Sequence, residues 1–240
     1  MSSSWVPATL VDAWRETPGS RTLVFDAELE PALAGQSIDI RLTADDGYTA
    51  QRSYSLGSPA GSDRFRVTVD RLDEGEVSPY LVDGLQVGHQ VEVRGPVGRW
   101  FVWQPAQTEP IQLLAGGSGI VPLMSMIRTR EAASGTAPMR LLYSIRRPGD
   151  RFYAEELDDL AARGRIDLQY VFTREVPADW PARAGRITPA LLAEFTIPPS
   201  DEPTVYVCGP TGFVEAATKP LMQFGHVASR IKTERFGPTG

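Results

Sequence analysis

A chain of 240 residues with a net charge of −6, 42% apolar and 22% charged residues has the make-up of a soluble globular protein of one large domain or two ordinary ones. Its acidity argues against wholesale binding to a nucleic-acid backbone, while leaving room for a local basic patch that takes a small anionic cofactor. Cys208 is the only cysteine, which rules out an intrachain disulfide, a zinc cluster and a cysteine-ligated iron–sulfur centre within these residues.

The start, MSSSWVPATL, has neither a basic head nor a long apolar core, and no run approaches the roughly 20 apolar residues that cross a membrane. A cytoplasmic enzyme or carrier is the expectation. From there to about residue 100 the chain reads as short strands: WVPATLVDAWRE, RTLVFDAEL, GQSIDIRL, QRSYSL, RFRVTVDRL and HQVEVRGP, rich in Val, Ile, Leu and Thr and punctuated by Gly, Pro, Ser or Asp. That pattern predicts an antiparallel β-barrel or sandwich, with one short helix around Val77 to Val82 after the turn DEGE.

The pattern changes near WQPAQTEP. Beyond it IQLLA, MRLLYSI, IDLQYVF and TVYVC are each followed by a helical stretch, and SRIKTERF reads as a last strand. Repeated β–α order predicts a parallel sheet covered by helices. The expectation is therefore two domains, a β-barrel over 1–105 and an α/β nucleotide-binding domain over 106–240. Only His89 and His226 offer imidazole, far apart in sequence, so a metal site is not expected.

Three stretches carry chemistry. In QRSYSLG, side chains of an extended strand alternate, so Arg52, Tyr54 and Leu56 share one face and Ser53 and Ser55 the other. A cationic fork beside a flat ring suits a large, flat, phosphorylated cofactor better than a core. In LLAGGSGIVPLMSMI a strand runs into Gly116, Gly117, Ser118 and Gly119, and a helix opens with Pro122 in its first turn. Glycines permit the tight turn and the helix start favours an anion, as in a dinucleotide site, although a plain βα turn gives the same string and Pro122 stands where the usual fingerprint has its third glycine. In VYVCGPTGFVEAA a strand again ends in a turn, Gly209–Pro210, with Thr211 as the expected helix cap. Strand ends on one edge of a parallel sheet line one crevice, so residues 116–119 and 208–212 should face the same cleft. Taken alone, Cys208 reads as a small buried residue.

Together these pieces resemble the ferredoxin–NADP reductase superfamily. RSYS is similar to its R-x-Y-[ST] flavin motif, GEVSPYL to its G-x-V-S segment, and GGSGIVP and VCGPTGF to its two nicotinamide-site motifs, in matching order over nearly the whole chain. The resemblance implies FAD as the flavin. Tyr54 would stack on the flavin ring, Arg52 would pair with the diphosphate, and the backbone N–H groups of Val77 and Ser78 would face it, with Gly75 allowing close approach. Ser55 would donate a hydrogen bond near flavin N5, with Cys208 and Glu234 beside the nicotinamide and Phe236 over the flavin face.

For the pyridine nucleotide, Arg146 and Arg147 follow the second strand of the α/β domain, and Thr173 and Arg174 follow the third in a segment resembling the family's 2′-phosphate site. These arginines favour NADPH, with NADH as the alternative. The function expected is hydride transfer from NAD(P)H to FAD, then electron transfer to a separate acceptor such as a ferredoxin or an oxidase or oxygenase component. The competing expectations are a flavin reductase or diaphorase serving a small acceptor, a non-catalytic electron-transfer subunit of a larger complex, and a non-redox nucleotide-binding module.

Overall fold

The computed structural model describes residues 4–237. They form two compact units, residues up to 104 together with 124–133, and residues 105–123 together with those from 134 onward.

Alternating apolar residues build the first unit. Strands β1 (Val6–Thr17), β2 (Ser20–Asp26), β3 (Ser37–Thr43), β4 (Thr49–Ser55), β5 (Arg64–Asp70) and β6 (Gln90–Val97) form one sheet in the order β4-β3-β6-β1-β2-β5, with antiparallel pairing throughout. The inward row includes Ala8, Leu10, Leu23, Phe25, Ile38, Ile40, Val67, Val69 and Val93, all fully buried. Each of these side chains larger than alanine stabilises the fold by about 1.5–3 kcal/mol relative to exposure. The sheet curls until its two edge strands meet. Leu56, just past β4, bridges to Val67 of β5, and the Gly57 amide donates to the Arg66 carbonyl at 2.8 Å.

The helix expected from Val77 begins at residue 78 and is π-wound over Tyr80–Gly84. The Leu85 amide reaches back five residues to the Tyr80 carbonyl, and Asp83 pairs with both Arg15 and Arg71 at 2.8 Å, which pins this wide turn to β1 and the end of β5.

In the second unit β7 (Ile111–Gly116), β8 (Met139–Ile145), β9 (Asp167–Phe172), β10 (Thr204–Pro210) and β11 (Ile231–Phe236) form a parallel sheet in the order β11-β10-β7-β8-β9. Every residue of the central strand β7 is buried, as befits a strand covered on both faces. The helices are α1 (Ile120–Ala132), which starts in this unit and from residue 124 on belongs to the first, α2 (Ala154–Ala162), α3 (Pro189–Phe195) and α4 (Thr211–Gln223). Leu192 of α3 and Val214, Ala217 and Leu221 of α4 pack on Leu114, Val205 and Val207, covering one face. Tyr170, whose Oη donates to Asp158 of α2 at 2.7 Å, lies toward the other. Helix α3 starts as its sequence predicts, with Thr188 Oγ1 accepting from the Leu191 amide and proline in the first turn. Thr211 is not the cap expected of it: β10 runs on through Pro210, so Thr211 is already the first helical residue and no side chain caps α4. No helix of the described residues is long and apolar enough to cross a membrane.

One buried polar side chain ties this sheet to the segment that follows α3. Gln112, fully buried on β7, accepts from the Ile197 amide at 2.9 Å and directs its own amide toward the Leu113 and Arg140 carbonyls. Gln112→Leu keeps the bulk but strands a buried N–H. The expected cost is about 1–3 kcal/mol, seen as a lower denaturation midpoint and faster hydrogen exchange at the Ile197 amide.

Candidate functional site

In the first unit the β3–β4 register places the chemistry. Tyr54 lies opposite Ile38 and Arg52 opposite Ile40, so both belong to the inward row, whereas Ser53 lies opposite Asp39 and Ser55 opposite Ser37. Tyr54 is half-buried against the barrel core, and burial raises its hydroxyl pKa well above the ordinary tyrosine value. Its polar neighbour is not buried: the Arg52 side chain keeps 56% of its exposure although it shares the inward row, because β4 is an edge strand. One terminal nitrogen of Arg52 donates to the Gln51 carbonyl at 2.7 Å, the other to Glu76 at 3.4 Å.

Glu76 belongs to the turn that the sequence marked by Gly75, Val77 and Ser78. That turn is self-contained. The Ser78 hydroxyl accepts from the Leu72 amide at 3.1 Å, and a β-carbon at position 75 would lie 2.8 Å from that hydroxyl and 3.0 Å from the Leu72 carbonyl. Glycine at 75 is thus required by the turn itself. Val77 and Ser78 have buried side chains. The other carboxylate oxygen of Glu76 accepts from the Tyr48 hydroxyl at 2.6 Å, which raises the Tyr48 pKa. Beside this group opens a cleft of about 660 Å³ lined by Leu42, Tyr48, Ala50, Glu76, Tyr80 and Val91. The sequence reading missed Tyr48, Tyr80 and Glu76 as site residues. Glu76 stands inside the GEVS string, but nothing in the string shows that its carboxylate reaches Arg52.

The residues fit a flavin dinucleotide. An exposed guanidinium, a half-buried ring on the adjoining inward position and an open cleft flanked by two exposed tyrosines have the chemistry that a diphosphate, a flat ring and a second ring system would need.

In the second unit the strand order reverses at β7, which has β8 on one side and β10 on the other, the arrangement that opens a ligand crevice at the carboxyl ends. There the turn after β7 and the end of β10 touch backbone to backbone. A β-carbon at position 119 would lie 2.2 Å from the Cys208 carbonyl oxygen, and one at 116 would lie 2.7 Å from the Phe213 ring. Gly116, Gly119 and Pro122 are consumed by packing, as is Gly209. Gly117, in the left-handed region at φ 56°, and Ser118 are the partly exposed members of the turn, followed by the start of α1. Pro210 is exposed and lies opposite Phe236 in the β10–β11 register.

At the ends of β8 and β9 the expected cationic residues come together. The Thr173 amide donates to the Ile145 carbonyl at 2.8 Å and the Arg174 amide to the Arg146 carbonyl at 3.0 Å. Arg147 pairs with Glu175 at 2.7 Å, a partner the sequence reading did not single out. Arg146 and Arg174 are exposed, and among the described residues neither side chain has an ion-pair partner.

Cys208 faces Glu234 across the β10–β11 pair. The thiol is fully buried, and burial, reinforced by the Glu234 charge, pushes its pKa well up, so it stays neutral. Burial lifts the Glu234 carboxyl from 4.5 to about 7. A carboxyl pKa raised by folding contributes stability that is full below the unfolded value and fades as pH rises through the folded one. Relative to Glu234→Gln, wild-type unfolding free energy should therefore fall as pH climbs from 4.5 through about 7. Above that window, pH-dependent chemical denaturation should show the variant ahead by about 3.5 kcal/mol, at roughly 1.4 kcal/mol per unit.

Comparison with known proteins places both units. Residues 8–102 match the oxidoreductase FAD-binding domain family and residues 113–219 the oxidoreductase NAD-binding domain family. A glycine betaine monooxygenase reductase subunit from Chromohalobacter salexigens is 34% identical over 234 residues, covering 94% of this chain. The chain spans 62% of that relative's length, less than two thirds. Among solved structures, the flavohem-like FAD/NAD-binding domain of nitric oxide dioxygenase from Vibrio cholerae superposes with a TM-score of 0.87 at 26% identity, over 97% of this chain and 99% of that one. A ferredoxin–NADP⁺ reductase from Neisseria gonorrhoeae, at 19% identity, shares the fold with a TM-score of 0.79 over 98% of this chain and 99% of its own. With an FAD-binding barrel, an NAD-binding α/β sheet and these relatives, the chain belongs to the ferredoxin–NADP reductase superfamily.

Proposed function

We propose that this protein is an NAD(P)H-dependent flavoprotein reductase, in which bound FAD and nicotinamide supply hydride and single-electron transfer and the chain supplies grip, orientation and proton control. The observation that carries the reading is Arg52: a half-exposed guanidinium on the inward row of a barrel strand, one inward position from the half-buried Tyr54 ring. Arg52 would hold the diphosphate, the amides of Val77 and Ser78 would face it, and Gly75 keeps that turn tight. The tyrosine-flanked cleft next to Glu76 gives the adenine end a place, which favours FAD over FMN. Ser55, on the face of β4 opposite Tyr54 but at the strand's last position, would hydrogen-bond to the flavin near N5. Cys208, neutral and fully buried, would keep uncharged the strand end that the nicotinamide approaches, and Glu234, half protonated near neutrality, would hold a proton for exchange with the flavin. Phe236 would cover the flavin when no nicotinamide is bound.

In the second unit Gly117 and Ser118 would meet the coenzyme diphosphate, with Gly116, Gly119, Pro122, Gly209 and Pro210 shaping the crevice. NADPH is the coenzyme proposed. Arg146 and Arg174, exposed and without ion-pair partners among the described residues, support recognition of a 2′-phosphate, with Thr173 as a hydroxyl donor and Arg147 held by Glu175. The acceptor proposed is a separate ferredoxin or oxygenase component. The 34% identical relative is by name a monooxygenase reductase subunit, and a single cysteine cannot ligate an iron–sulfur cluster within these residues.

The purified protein should be yellow and should bleach anaerobically on adding NADPH. Arg52→Ala should bind FAD at least about tenfold more weakly, the loss of a charge-assisted pair being worth roughly 1.5–3 kcal/mol; a colourless wild type that FAD cannot reconstitute sinks the reading. For the coenzyme, Arg174→Ala should reduce the NADPH:NADH ratio of kcat/KM by about tenfold, and an unchanged ratio in stopped-flow flavin reduction removes that residue from the 2′-phosphate site.

A further inference from the structure

Arg52 has two outer nitrogens with which to grip an anion, and both are engaged within the protein. The bond to the Gln51 carbonyl is short, at 2.7 Å, and is made to the neighbouring residue of its own strand. The bond to Glu76 is long, at 3.4 Å, and spans two segments. A diphosphate approaching this fork therefore meets a carboxylate already there, and the Glu76 bond is the one that yields. Glu76 does not lose all partners when it yields, because Tyr48 Oη holds its other oxygen at 2.6 Å. The sequence neighbourhood makes the carboxylate conspicuous: Glu76 lies between Gly75 and Val77, in the turn whose backbone should receive the same anion.

We propose that Glu76 is an internal stand-in for the FAD diphosphate, which keeps Arg52 paired before the flavin arrives and lowers FAD affinity by competing for the guanidinium. The proposal rests on the reading that Arg52 holds the diphosphate, and it adds a specificity element to that site. Binding becomes an exchange of one anion for another at a single fork. Carboxylate gives way to diphosphate because the latter can engage the fork bidentately, and the carboxylate falls back on the tyrosine. The equilibrium cost is modest, since an exposed pair of this kind is weak.

The test is fluorescence titration of the full chain, stripped of flavin, with FAD. Glu76→Gln preserves shape and the Tyr48 contact but removes the competing charge, and should tighten FAD binding about fivefold, with slower release. Glu74→Gln, an equal change of net charge on the same turn at an exposed position, should leave the affinity at the wild-type value. The gain should vanish when Glu76→Gln is made in an Arg52→Ala background, because the stand-in acts through that guanidinium. Unchanged or weaker binding by Glu76→Gln overturns the proposal. So does a gain of equal size in the Arg52→Ala background, which assigns the effect to direct repulsion. Failure of the underlying reading looks different: there Arg52→Ala alone binds FAD as tightly as wild type.

Discussion

The antiparallel register of β3 and β4 is the constraint on which the first unit's chemistry depends. Pairing Ile38 with Tyr54 and Ile40 with Arg52 puts a ring and a cation on the inward row of a curled sheet, and sends Ser53 and Ser55 outward. A slip of one residue would exchange the two sets. The inward row would then carry hydroxyls and the guanidinium would stand on the outer face, away from the turn at 75–78. Buried Leu56 and the partly buried Ala50 and Tyr54 hold the register, because a slip of β4 would turn them out of the core. Ordinary core packing thus fixes the position of a residue that is itself half in solvent.

The second unit solves a different problem. Its two strand ends must approach closely enough to make one crevice, and they do so by omitting side chains. The turn after β7 sits so near the Cys208 carbonyl that position 119 has no room for a β-carbon, and Phe213 occupies the space one would need at 116. The glycines of this motif divide their work. Those at 116, 119 and 209 let protein approach protein, while Gly117, with a left-handed backbone and open space where a side chain would stand, keeps the surface clear. A glycine-rich string is commonly read as ligand contact. Here most of it is architecture that makes the contact surface available.

How much of this was legible before the structure follows from how local each signal is. Strand alternation and β–α order are local, so the elements and both sheets could be read from the chain. The alternation argument also placed Arg52 and Tyr54 on one face. The N-terminus of α4 could not be read, because whether Thr211 caps or begins a helix depends on how far β10 runs, and pairing with β11 carries that strand through Pro210. The π-wound turn likewise depends on Asp83 reaching Arg15 and Arg71, partners distant in sequence or on another strand. Glu76 and Tyr48 were invisible as partners for the same reason: 28 residues separate them, and only the fold brings hydroxyl to carboxylate. Glu175 beside Arg147 is a smaller case, set by adjacent strands ending together.

The barrel's seam has a consequence of its own. Strand β4 is a sheet edge, joined to the opposite edge by the Leu56–Val67 bridge and the Gly57–Arg66 bond just beyond its end. Its outer backbone groups therefore lack the ladder that protects interior strands, and it belongs among the segments that open at low free-energy cost. A molecule lying along that strand closes the gap in the ladder's protection. Occupancy of the barrel should consequently be written into the amide-exchange clock of residues 49–55, slow when filled and fast when empty, whatever colour the solution shows.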